Sequence, residues 1–296
     1  VIELAGETFG GSYPFAPHYR EVNGVALHYV DEGAGAPVLL VHGDPTWGYL
    51  WRAFVPVLAR RHRCIVPDHM GMGKSAGRKE LFPYRLAHHV ANLEGLLLGL
   101  DLRDVTLVLH DWGGPVGLGV AVRHPERIRR LCLMNTWAFA PWPGPPLPRL
   151  LQLIRSERGE RFVLERNGYV EAALTGTTHH PERLSRAVLD AYLAPYPTPE
   201  SRLALLGWTR DIPLAEGEPS FAEMRRIEAG LAAFRDRPVL LAWGLRDPVL
   251  PGPVLRRWQA VFPQAETVAL EDASHFLQED APGPLVDRVA AFLEGP

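Results

Sequence analysis

Cysteine is almost absent from this chain, which has 2 in 296 residues. Cys64 and Cys132 each sit inside an apolar run of strand character, Cys-Ile-Val and Leu-Cys-Leu-Met. They read as buried core residues rather than a disulfide framework. Lysine is scarce too: Lys74 and Lys79 are the only lysines among 31 basic residues. With abundant Ala, Gly and Pro, the arginine bias resembles GC-rich bacterial coding, and no arginine cluster is dense enough to mark a binding site. A formal net charge of −3 gives no electrostatic case for nucleic acid or an anionic membrane. No apolar run approaches the ~18 residues a membrane span needs. No signal peptide is visible. The first residue is Val1, so an initiator Met is missing and a few preceding residues are expected. The cytoplasm is the expected compartment.

What is present fits a globular protein, with 47% hydrophobic and 22% charged residues. The length suits one large α/β domain with an insertion, or two ordinary domains. Residues 25–30 alternate like a strand before the turn at 31–35, and 37–42 form a continuously apolar strand suited to burial on both faces. A helix is expected over 49–60, with Leu50, Phe54, Val57 and Leu58 on one stripe. A strand at 63–66 then leads into a glycine-containing loop ending Gly-Lys-Ser. That loop is no phosphate cradle, because Pro67 or Asp68 stands where the first glycine of the motif must be. A helix over 84–99 carries His88 and His89, read as exposed or satisfied rather than as metal ligands. Strands at 105–109 and 128–134 flank a helix of small residues. Alternating strand and helix argues for a mostly parallel sheet with helices on both faces.

The alternation stops after Asn135. From 136 to 236 no strand pattern appears, only a proline-rich opening and helical stretches near 150–158, 181–194, 199–210 and 219–234. This reads as a helical cap (136–236) inserted into a core domain (1–135 and 237–296). Strands at 238–243 and 267–270 and helices near 253–262 and 285–293 complete the core.

Chemistry concentrates at three strand ends. The strand at 105–109 runs into His110-Asp111-Trp112-Gly113-Gly114 and then a helix. This is the strand–turn–helix of a nucleophile elbow, with Asp111 where serine usually stands and Leu109 replacing the first glycine. Asp247 follows the first strand after the insertion, and His275 follows the last. The order nucleophile, acid, histidine suits hydrolases of this architecture, and carboxyl ends of parallel strands are where such sheets bind ligands. The bland alternatives are a loop-capping Asp247 and a helix-start His275. An aspartate nucleophile is already ionised at neutral pH. It can displace a leaving group at saturated carbon, or open a strained ring, by forming an alkyl ester. His275 would then take a proton from the water that attacks the ester, with Asp247 orienting the imidazole. Amides from Trp112 and the His42-Gly43-Asp44 loop would hold the oxyanion.

The segments His-Gly-Asp-Pro-Thr-Trp, His-Asp-Trp-Gly-Gly, Trp-Gly-x-x-Asp and Asp-Ala-Ser-His-Phe resemble those of haloalkane dehalogenases in the α/β-hydrolase superfamily, in order along nearly the whole chain. The resemblance implies an α/β-hydrolase fold and hydrolysis of haloalkanes to alcohol and halide without a cofactor or metal. Its partners would be a small hydrophobic substrate, water and halide. It also implies Asp111, Asp247 and His275 as the catalytic residues, with Trp112 donating its indole N–H to the halide. Asn135, not an acid, follows the strand before the insertion, which favours Asp247 as the triad acid.

Asp44 departs from a common form of the family, which has a halide-donating Asn there. An ionised carboxylate about 4 Å from a halide would cost roughly 4 kcal/mol at a surface-like dielectric. That is nearly a thousandfold in rate. Some members carry Glu at this position and a cap Trp as second donor, so Asp44 is expected to border the halide or oxyanion site and hold the hydrolytic water. Trp137, Trp142 and Trp208 are the candidate donors. β-Lactone decarboxylation, performed by proteins with the same motifs, is the close alternative. Epoxide hydrolysis, with Tyr169, Tyr192 or Tyr196 as acids, comes third, and a catalytically silent ligand receptor fourth.

Overall fold

The computed structural model describes residues 4–81, 83–144 and 146–295; Val1 and Pro145 of the proline-rich run lie outside them. Eight strands form one sheet: β1 (His18–Val22), β2 (Val25–Glu32), β3 (Pro37–Val41), β4 (Arg63–Pro67), β5 (Val105–Asp111), β6 (Ile128–Thr136), β7 (Val239–Gly244) and β8 (Glu266–Leu270). Their spatial order is β1-β2-β4-β3-β5-β6-β7-β8. The pairs β1–β2 and β2–β4 are antiparallel, and all later pairs are parallel. The middle of the sheet explains its sequences. β5 is buried at every position, as its unbroken apolar run requires. β1 lies at the edge and exposes four of its five residues, which is why its polar sequence carries no strand signal.

Between β3 and β6 run α1 (Val55–Leu58), α2 (Leu86–Gly99) and α3 (Gly113–Arg123). The helix expected over 49–60 is divided instead into a 3-10 turn, Gly48–Trp51, and the short α1. Trp51, at the end of the turn, and Phe54, just before α1, are both buried in the core. His89, on α2, is buried and not exposed, stacked on Trp208 at 3.8 Å between ring centroids. Cys64 and Cys132 are free and buried, as their apolar runs imply.

From β6 to β7 the described residues form α4 (Arg149–Ile154), α5 (Glu157–Leu164), α6 (Tyr169–Thr177), α7 (Arg186–Leu193), α8 (Leu203–Arg210) and α9 (Phe221–Gly230), with no strand among them. Sequence periodicity does not reveal α6, a nine-residue helix of mostly small side chains. The chain closes with α10 (Gly252–Val261), α11 (Leu277–Asp280) and α12 (Pro282–Glu294).

α3 owes its glycines to its nearness to the sheet. A Cβ on Gly113 would lie 2.2 Å from the Val41 carbonyl oxygen, which is backbone and cannot rotate away. Gly113→Ala is therefore expected to destabilise the fold by about 2 kcal/mol or more, as overpacking does. Urea unfolding read by far-UV circular dichroism would measure it, and an unchanged midpoint would contradict this packing.

Candidate active site

Asp111 ends β5 with φ at +49°, a left-handed conformation that non-glycine residues seldom adopt. The turn lifts its carboxylate out of the sheet at the start of α3. Thr136 helps hold it, donating its hydroxyl to the Asp111 carbonyl at 2.5 Å. The β3 loop comes in from the other side. His42 accepts the His69 amide at Nε2 and hydrogen-bonds the Gly43 carbonyl through Nδ1, which fixes the loop's path. Gly43 has no room for a side chain, since a Cβ would stand 2.3 Å from Asp111 Oδ1. The next amide, that of Asp44, donates to the same Oδ1 at 2.9 Å. The first amides of a helix lack intrahelical partners, and the Trp112 N–H at the start of α3 belongs to that class.

The structure brings Asp111, Asp247 and His275 together. His275 Nε2 faces Asp111 Oδ2 at 3.5 Å, and its Nδ1 lies 2.9 Å from Asp247 Oδ2. Asp247 also accepts the Val249 amide at Oδ1, so one oxygen caps the loop while the other faces His275. Asn135 locks this arrangement. Its side-chain amide donates to Asp247 Oδ2 at 2.7 Å and to the Gly244 carbonyl, while its oxygen accepts the Gly244 amide. His110 Nε2 is 2.8 Å from the His275 carbonyl oxygen. The His275 amide in turn donates to the Thr177 carbonyl at the end of α6. Asp280 accepts the amides of Ser274, His179 and His180.

Asp111, Asn135, Asp247 and His275 are all buried. Burial alone would lower the His275 pKa, but Asp247 and Asp111 outweigh it and push the imidazole up to about 10. Burial likewise opposes ionisation of Asp247, yet the charge and hydrogen bond of His275 hold it below the usual carboxylate range. At neutral pH His275 is thus an imidazolium held against the Asp247 carboxylate.

Asp44 is the exception. Its Oδ2 accepts the Tyr169 hydroxyl at 2.5 Å, with Thr209 Oγ1 further off at 3.5 Å. Its Oδ1 is buried without a hydrogen-bond partner among the described residues. Burial, reinforced by the nearby Asp111 charge, pushes its carboxyl well above the carboxylate range despite the bond from Tyr169. The sequence does not reveal this pair: its members are 125 residues apart, and the helix carrying Tyr169 has no periodic signal.

A cavity of about 540 Å³, counting its open mouth, meets Asp44, Asp111, Trp112, Tyr169 and His275 at its base. Its walls are largely apolar, including Leu150, Leu151, Ile212, Val249 and Phe276. Of the three tryptophans considered as second donors, Trp137 and Trp142 line it. Trp137 packs edge-on against Trp112 at 4.8 Å, and its indole N–H is buried without a partner among the described residues. Trp208 turns its N–H to the Met72 sulfur at 2.9 Å and does not line the cavity. Among the three tyrosines, only Tyr169 reaches it. Tyr192 donates to Glu279 at 2.5 Å, and the Tyr196 hydroxyl is buried elsewhere.

A model of the alpha/beta hydrolase fold matches residues 36–282. A cis-3-alkyl-4-alkyloxetan-2-one decarboxylase of Shewanella oneidensis is 37% identical over 284 residues, covering 95% of this chain and 89% of the relative. Haloalkane dehalogenase 2 of Mycobacterium tuberculosis is 36% identical over 286 residues, covering 95% and 94%. Among solved structures, the haloalkane dehalogenase DatA from Agrobacterium tumefaciens superposes with a TM-score of 0.83 at 29% identity, covering 94% of this chain and 95% of that one.

Proposed function

This chain belongs to the α/β-hydrolase family, and on that premise we propose that it hydrolyses haloalkanes through a covalent ester on Asp111. The observation that carries the reading is His275, held between Asp247 and Asp111 at the base of a largely apolar cavity. Asp111 Oδ1 is occupied by the Asp44 amide, which leaves Oδ2 as the attacking oxygen. The new C–O bond forms as the carbon–halogen bond breaks, and the halide departs with the bonding pair. Esterification removes the Asp111 charge that helps keep His275 protonated. The imidazole then loses its proton and serves as the base its second task requires. Water attacks the ester carbon while giving a proton to His275 Nε2. The oxyanion is held by the amides of Asp44 and Trp112. Collapse releases the alcohol, which takes the proton back from His275, and the carboxylic proton left on Asp111 then passes to His275. Residues 136–236 act as the cap that closes the apolar cavity over these groups.

Trp112 and Trp137 are the halide donors in this reading. A hydrogen bond to a charged group contributes about 1.5–3 kcal/mol. Trp137→Phe is accordingly expected to weaken bromide binding by about 10- to 100-fold, read by quenching of the remaining tryptophan fluorescence. Undiminished affinity would remove Trp137 from the site. Burial pushes the Asp44 carboxyl well above the carboxylate range, which lessens the repulsion it would exert on a halide.

β-Lactone decarboxylation is the second reading, favoured by the 37% identity to a decarboxylase. Here Asp111 attacks the ring carbon bearing oxygen, and a tethered carboxylate leaves. Loss of carbon dioxide then forms the alkene and expels Asp111 unchanged, with no water consumed. The discriminating experiment offers the enzyme a bromoalkane and a cis-β-lactone of similar length, with detection of halide, alcohol, alkene and carbon dioxide. Alkene from the lactone with no halide from any bromoalkane would replace the first reading by the second.

A further inference from the structure

The carboxyl of Asp44 sits beside the nucleophile with one oxygen engaged and the other bare. Oδ2 accepts from Tyr169, while buried Oδ1 has no partner among the described residues. A bare carboxylate oxygen buried beside a second carboxylate is costly, because neither solvent nor a donor compensates its charge. A proton on Oδ1 removes that cost and turns a residue of the cavity lining into a hydrogen-bond donor. The same side chain is prepared to lose this proton, since the Tyr169 hydroxyl at 2.5 Å would stabilise the carboxylate that remains. The charged and titratable groups around it are Asp111, which opposes ionisation, Tyr169 and His275, which favours it.

Halides and carboxylates leave without a proton; an alkoxide does not leave readily without one. We propose that this site has a further activity, the hydrolysis of small alkyl epoxides, in which Asp44 is the catalytic acid and Tyr169 its positioning residue. Asp111 Oδ2 attacks a ring carbon, the carbon–oxygen ring bond breaks, and its electron pair stays on the ring oxygen. That oxygen takes the Oδ1 proton of Asp44 and becomes a hydroxyl. Water activated by His275 then cleaves the ester to give a vicinal diol and restores Asp111. The proton gained by His275 goes to the departing diol oxygen, and Asp44 regains its own from solvent. No oxidant, reductant or metal enters the balance. The inference rests on the covalent Asp111 reading, not on which leaving group predominates.

The test compares bromohexane and epoxyhexane on the wild type, Asp44→Asn and Tyr169→Phe, measuring bromide and hexanediol. Asn keeps the shape and the backbone N–H but cannot deliver an acid proton. Asp44→Asn is expected to lower diol formation at least 100-fold more than it lowers bromide release. Tyr169→Phe should lower diol formation about tenfold and shift the alkaline limb of its pH profile to higher pH, because the carboxylate loses its stabilising donor. The sign follows from Asp44 acting as the acid: ring opening proceeds below its pKa and fails as pH rises through it. Equal losses for both substrates, an unmoved alkaline limb, or bromide release without any diol from the wild type would each overturn the proposal. Failure of the covalent reading itself looks different. His275→Gln would then carry no alkyl adduct on Asp111 after exposure to either compound.

Discussion

In His275→Gln, the alkyl group delivered to Asp111 is expected to stay there. Displacement needs only the carboxylate and an exit for the halide, neither of which involves the imidazole. Ester hydrolysis needs a base for water, and loss of a general base typically costs 10²- to 10⁴-fold. Intact mass spectrometry after exposure to a reactive bromoalkane should reveal one added alkyl group, and peptide mapping should place it on Asp111. Steady-state turnover should fall by about the same factor while the first, stoichiometric release of bromide survives. An adduct on any other residue would overturn the mechanism, as would none at all with a substrate that the wild type converts.

Asp247→Asn should slow turnover by about 10⁴-fold without unfolding the protein. The reason lies in the donors around this position. Oδ1 accepts the Val249 amide, and Oδ2 accepts from Asn135 and sits against His275 Nδ1. An asparagine must turn its amide nitrogen toward one of these sides. Toward Val249 it meets another donor. Toward Asn135 it meets a donor as well, and His275 must then present a bare Nδ1. That tautomer carries its proton on Nε2, the atom that has to receive one. Stopped-flow separation of bromide release from alcohol formation should place the loss in the second step. Near-wild-type alcohol formation would mean that the orienting acid lies elsewhere, with Asp272, beside the His275 loop, the first to examine.

Much of this arrangement is legible in the sequence because it depends on short-range patterns. The unbroken apolar run of β5 and the glycines after Asp111 announce a strand, a sharp turn and a helix pressed against the sheet. Asp247 follows a buried apolar run of the same kind, and His275 follows the shorter Val-Ala-Leu run that ends the edge strand β8, so both placements need no tertiary information. The edge strand β1 is hidden, since a strand exposed along most of its length carries no apolar alternation. The expected helix at 49–60 fails because burying its aromatic side chains under the sheet outweighs helical regularity. α6 is obscured by its small residues, and the Asp44–Tyr169 pair is obscured with it. A carboxyl's neutrality is a property of its surroundings, which no local motif encodes. From sequence, Asp44 therefore looks like a misplaced charge.

The hydrogen bonds of the Thr177 carbonyl and of the His179 and His180 amides constrain how substrate enters. The end of α6 and the loop after it are stitched to the backbone of His275 and, through Asp280, to its neighbour Ser274. A hinge that swung these residues away would pull the base out of register with Asp111. Entry by wholesale opening would thus require reassembly of the triad in every cycle. Rotamer exchange of Leu150, Leu151 and Trp142, half-buried residues of the cavity lining, would admit substrate without disturbing these contacts. Such side-chain motion is fast, on picosecond to nanosecond timescales for exposed groups. Amide exchange should reflect the same division: Ser274, His275, His179 and His180 should share one slow opening event, while α4 exchanges on its own.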